Sequence, residues 1–76
     1  MKDFTILLST INDVKEFVRI VAQHDYEVDL VSGRYAVDAK SIMGIFSLDL
    51  SRPIQMTVRD DNAEELIAAV DRFIQK

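Results

Sequence analysis

The sequence predicts an α+β fold, an open-faced β-sandwich in the order β-α-β-β-α-β-α: a four-stranded antiparallel sheet with three helices on one face. Three observations predict it. Residues 26–31 and 54–59 alternate apolar with polar side chains, the pattern of strands buried on one side only. Residues 14–21 and 63–74 instead place apolar side chains at helical intervals. Gly33 divides one alternating stretch into two arms, as the turn of a hairpin does.

Each element follows in chain order. Phe4-Thr5-Ile6-Leu7-Leu8 is rich in β-formers and predicts a first strand over residues 2–8. Ser9-Thr10 and Asn12-Asp13 supply side-chain acceptors for a helix N-terminus. Val14, Phe17, Val18 and Val21 then form an apolar stripe, with Lys15, Glu16, Arg19 and Gln23 off it, predicting a helix over 12–23. His24-Asp25 is its exit. Tyr26, Val28 and Leu30 alternate with Glu27 and Asp29, Ser32-Gly33 turns, and Tyr35 and Val37 alternate with Arg34, Ala36 and Asp38. These make a hairpin over 26–39 of two half-buried strands. A short helix over 41–48 follows, with Ser41 as N-cap. Pro53 opens a fourth strand, where its missing N–H is tolerated, and Ile54, Met56 and Val58 form the inward face. Asp60-Asp61-Asn62 supplies caps and negative charge to a last helix running to the C-terminus. Ala63, Leu66, Ile67, Val70, Phe73 and Ile74 mark its buried face.

Length and composition limit what such a fold can do. A chain of 76 residues leaves room for one domain, residues 1–76, with a thin core. Nine basic against thirteen acidic residues give a net charge of −4, which argues against nucleic acid as a partner. With no cysteine there is no disulfide, thiolate metal site or cysteine nucleophile. A single histidine, His24, excludes a multi-histidine metal site and leaves one imidazole for phosphoryl chemistry. No cofactor is expected. The N-terminus lacks the basic-then-apolar pattern of a secretion signal, and no apolar run approaches the ~18 residues of a membrane span. A cytoplasmic protein without membrane insertion is the expectation.

Few residues stand out chemically. Ser41 reads first as an N-cap, a role that needs no partner. Ile42, Met43 and Phe46 read first as core, although the run from Ile42 to Leu50 holds more apolar residues than one short helix can bury on one face. Asp60 with Asp61 and Glu64 with Glu65 are caps and solubilising charge, lacking an accompanying nucleophile. Asp25, Glu27 and Asp29 form a solvated strand face. A catalytic centre is not among these readings, and the chain is not expected to be an enzyme.

The segment Ala39-Lys40-Ser41-Ile42-Met43-Gly44-Ile45-Phe46-Ser47-Leu48, set in this order of elements, resembles the regulatory-serine region of HPr, the small phosphocarrier of the bacterial phosphotransferase system. The similarity runs along nearly the whole chain and is most specific between Val31 and Leu50. In that family a histidine at the start of the first helix accepts a phosphoryl group from enzyme I and passes it to sugar permease components. An arginine and a proline follow it. Counting back from Phe17-Val18, those positions fall at about Thr10, Asn12 and Asp13, and none holds the family's residue. His24 lies near the far end of the same helix, ~18 Å away at ~1.5 Å per residue. Thr10 has a hydroxyl but no evident base to activate it.

The resemblance therefore implies a histidine-lacking, Crh-type member that acts in regulation. In Gram-positive relatives a bifunctional kinase/phosphorylase modifies the serine matching Ser41, and the modified protein binds a transcriptional repressor. Ile42, Met43 and Phe46 match the partner-contact surface. Asn12 and Asp13 depart from it, standing where the repressor-binding relatives are basic. The expected partners are proteins of the phosphotransferase and catabolite-regulation network. An alternative reading is a degenerate HPr-fold scaffold or homodimer, burying Met43 and Phe46 and unrelated to sugar transport.

Overall fold

The alternating segments pair into one sheet. The computed structural model describes residues 2–60 and 62–75. Strands β1 (Lys2–Ile6), β2 (Val28–Ser32), β3 (Tyr35–Asp38) and β4 (Ile54–Val58) lie antiparallel in the order β1-β4-β2-β3. Helices α1 (Ile11–Ala22), α2 (Ile42–Phe46) and α3 (Glu64–Ala69) join them, followed by a 3-10 turn at Asp71–Phe73. In β4 the central pairing is double: Val58 faces Lys2 of β1 and Val28 of β2.

The β2–β3 hairpin closes tightly, Ser32 facing Tyr35 across Gly33 and Arg34. Gly33 has φ +59, and no other described residue has a positive φ. A positive φ at the first central position alone is the type II′ turn, whose twist suits the flanking strands.

Period-two alternation delivers Val28, Leu30, Ile54, Met56 and Val58 to one face of the sheet, all buried. Helical periodicity delivers Val14, Phe17 and Val21 of α1, Ile45 of α2 and Leu66 of α3 onto that face, in one hydrophobic cluster. Fully burying a side chain of this size contributes about 1.5–3 kcal/mol. The opposite face is polar: the Thr57 hydroxyl donates to Asp3 at 2.9 Å, and Arg59 pairs with Asp29 at 2.7 Å. The Asp29 bond raises the pKa of Arg59 above its usual value.

The structure corrects the sequence reading at several places. The last helix does not reach the C-terminus but ends at Ala69. Beyond the 3-10 turn the chain extends and pairs with β1: Leu7 N–H donates to Phe73 C=O at 2.9 Å, Gln75 N–H to Thr5 C=O at 2.8 Å, and Ile74 bridges Ile6. As the edge strand, β1 has backbone groups that a continued helix could not have satisfied. Phe73 is buried in either geometry, here edge-on to Phe17 with centroids 5.8 Å apart, so periodicity could not tell them apart.

Among the described residues no acidic side chain caps α3. Its N-cap is Ala63, fully buried and without a capping side chain, while the Asp60 carboxylate accepts the Asn62 N–H at 2.8 Å. Asp61 lies outside the described residues. Tyr35, expected on a half-buried face, is 70% exposed because β3 is an edge strand. Tyr26 precedes β2 rather than opening it, and β1 stops two residues short of Leu8.

Candidate functional site

Chain leaving β3 is folded back at once. Ala39 is buried and its N–H donates to Val28 C=O at 2.9 Å, while Lys40 and Ser41 N–H groups donate to the Asp38 carboxylate and C=O at 2.8 and 3.0 Å. This turn delivers Ser41 in extended geometry, φ −99 and ψ 102, to the start of α2. Its Oγ accepts the Gly44 N–H at 3.1 Å, the N-cap arrangement the sequence predicts. Gly44 makes the fit possible. A Cβ there would lie 3.1 Å from Ser41 Oγ and 3.2 Å from Val37 Cβ, so the missing side chain lets α2 settle on β3 beneath the serine.

The apolar residues of α2 divide by face. Ile45 is fully buried and Leu48 nearly so, while Ile42 is half-buried against the core. Met43 is 77% exposed and Phe46 41% exposed. Ser41, also exposed, directly precedes this patch. An exposed serine hydroxyl beside an apolar surface can accept a group from a docking enzyme, and the surface supplies contact area for a partner.

At the other candidate position Thr10 caps α1. Thr10 Oγ1 accepts the Asp13 N–H at 3.0 Å, and the Asp13 carboxylate accepts the Ser9 N–H at 3.2 Å. The helix start is thereby closed on itself, with a carboxylate at its positive end, where the dipole favours it. Asn12 is exposed. Ser9, Asp13, Arg72 and Phe73 border a shallow depression of about 290 Å³ here.

Two neighbours of these sites were not foreseen. Arg72 lies over the Phe73 ring at 4.6 Å and 3.8 Å from Glu16, brought to the start of α1 by tertiary packing that no local pattern announces. Ile11 is 63% exposed, and the signal for it was available: it stands at the edge of the α1 stripe, ahead of the first buried residue. His24 follows the last turn of α1, its N–H donating to Val21 C=O at 3.1 Å and its ring stacked on Tyr26. Thr10 and His24 therefore flank opposite ends of α1.

Beyond α2, the Asp49 carboxyl is held below its ordinary pKa of 3.8, chiefly by the Ser51 hydroxyl, then by the Ser51 N–H and, least, by Arg52. Among the described residues no helix is long and apolar enough to cross a membrane.

With this geometry in place, comparison with known proteins is informative. The family model for the PTS HPr component phosphorylation site (PTS-HPr) matches residues 12–76, a span that includes Ser41 and starts after Thr10. No curated protein matches the sequence. Among solved structures, HPr-C-His from Thermoanaerobacter tengcongensis is similar at TM-score 0.79 and 28% identity, covering 95% of this chain and 89% of that one. The phosphocarrier protein HPr from Bacillus anthracis gives TM-score 0.72 and 26% identity over 97% of this chain and 94% of that one. A histidine-containing phosphocarrier protein from Mycoplasma shares the fold at TM-score 0.73 and 14% identity, over 99% and 98% of the two chains.

Proposed function

Because the chain belongs to the PTS-HPr family, we propose that it works as a regulatory protein-binding module of the phosphotransferase system, with Ser41 as its phosphorylation site and Ile42, Met43 and Phe46 as its partner surface. Phosphoryl transfer through a histidine is not part of this reading. The family's carrier position falls at about Thr10, a residue engaged in capping, and the single histidine follows the opposite end of α1. Its partners are other proteins of the phosphotransferase and catabolite-regulation network, met in the cytoplasm.

One observation carries the reading: an exposed serine at the N-cap of α2, on a helix whose Met43 and Phe46 are exposed apolar residues. In the modification, Ser41 Oγ attacks the γ-phosphorus of ATP, ADP leaves, and the hydroxyl proton passes to a base of the kinase. The new phosphate adds roughly −1.5 to −2 charges and strong acceptor oxygens. These can take over the Gly44 N–H that the hydroxyl now caps. The event alters the charge of the docking surface and leaves the core untouched.

The test is incubation with ATP and the HPr serine kinase, followed by peptide mass analysis. One added phosphoryl group on the Ser41 peptide, absent in Ser41→Ala, is the expected result. No modification under conditions that modify an authentic HPr would overturn it. Ser41→Ala should itself lower stability by about 1 kcal/mol through loss of the cap, measurable by urea unfolding. Incubation with phosphoenolpyruvate and enzyme I should leave the chain without an acid-labile phosphoryl group.

A further inference from the structure

The chain has three methionines, and the fold treats two of them in opposite ways. Met56 is fully buried on the inner face of β4, whereas Met43 is 77% exposed on α2. Met1 lies outside the described residues. We propose that Met43 is a reversible oxidation site, and that conversion of its thioether to the sulfoxide by a peroxide switches off docking on α2. The inference rests on the regulatory reading, because the docking it controls is the one that presents Ser41 to its kinase.

Placement makes the chemistry selective. Oxidation of a thioether needs the sulfur open to the oxidant, and packing denies that access at Met56. At Met43 the sulfur attacks one oxygen of hydrogen peroxide. An S–O bond forms as the O–O bond breaks, and the departing oxygen takes up the remaining proton and leaves as water. Sulfur is thereby oxidised by two electrons and the peroxide reduced by two.

Placement also decides the consequence. Phe46 stands three residues after Met43 and therefore beside it on the helix surface. Both are exposed, with Ile42 half-buried against the core, so a docking partner must cover the Met43 side chain together with the ring. A thioether suits that contact, being soft, flexible and apolar. The sulfoxide oxygen is a strong hydrogen-bond acceptor, and a partner surface shaped for an apolar side chain leaves it without a donor. The core is not involved: Ile45 and Leu48 carry the inward side of this segment, and the Ser41 cap bonds only the Gly44 N–H. An exposed sulfoxide is also within reach of methionine sulfoxide reductases, one for each epimer. These return the thioether by oxidising a pair of thiols to a disulfide, and the oxygen leaves as water.

The test treats the full chain with hydrogen peroxide and removes the peroxide. Peptide masses, the urea midpoint and the initial rate of Ser41 labelling by ATP and the HPr serine kinase are then measured. One added oxygen is expected on the Met43 peptide and none on the Met56 peptide. The urea midpoint should not move, while labelling should slow at least about tenfold, the effect of one unpaired buried acceptor. Treatment with both sulfoxide reductases should restore the rate. Met43→Leu, whatever its own rate, should be labelled equally before and after peroxide. Oxidation of Met56 in the folded chain, a lowered urea midpoint, or equal labelling of oxidised and untreated chains overturns the switch and leaves the regulatory reading standing. No labelling of the untreated chain is a different result: it overturns the regulatory reading, and the switch falls with it.

Discussion

At the scale of single residues, the hydroxyls at the starts of α1 and α2 and at the end of α2 bond to the backbone. Thr10 and Ser41 each accept an N–H three residues ahead, and the Ser47 hydroxyl donates to Gly44 C=O. The Ser41 cap was legible and Thr10 stood among the acceptors expected before α1, because an N-cap joins a side chain to the next turn. What lay beyond reading was which apolar neighbours of each cap stay exposed, because tertiary packing decides that. Asp49 offers a pH-dependent check on the turn after α2. Its folded pKa lies below its unfolded one, so its contribution to stability is complete above the unfolded value and disappears as pH falls through the folded one. Side-chain titration by NMR should place Asp49 below 3.8, and Ser51→Ala should move it upward by removing the largest cause.

Among the elements, those defined by neighbours in sequence were foreseen and those defined by distant partners were not. The β2–β3 hairpin rests on alternation and a glycine, and it formed with Gly33 at the turn. Alanine at that position meets nothing within 4 Å, so its cost is purely that of a left-handed backbone. Gly33→Ala is expected to lower stability by about 1 kcal/mol in chemical denaturation, without altering the core. The last helix was foreseen to its end and fell short, because its final residues answer to β1, far away in sequence. Helix α2 lies between these cases. Its existence and cap were local, while the division of Ile42, Met43, Ile45 and Phe46 between core and solvent followed from its seat on β3.

For the molecule as a whole, a thin core means that individual side chains weigh heavily. Stability of about 0.05–0.15 kcal/mol per residue gives a chain of this length roughly 4–11 kcal/mol. Phe17 is fully buried where α1 meets the sheet and the ring of Phe73. Phe17→Ala should cost about 3–5 kcal/mol, a large share of the total, and a shift of the urea midpoint to much lower concentration would register it. The fold class and the placement of the core were both readable, since they follow from two periodicities and the need to bury one face of each element. The sheet order adds something else. Because β1 lies beside β4, Lys2 faces Val58, a partner that does not exist until most of the chain has left the ribosome. Until then β1 is a strand without a sheet, and long-range pairing of this kind slows folding. The β2–β3 hairpin, complete as soon as Asp38 emerges, can wait as a template; β1 can join only after β4 has been laid beside it.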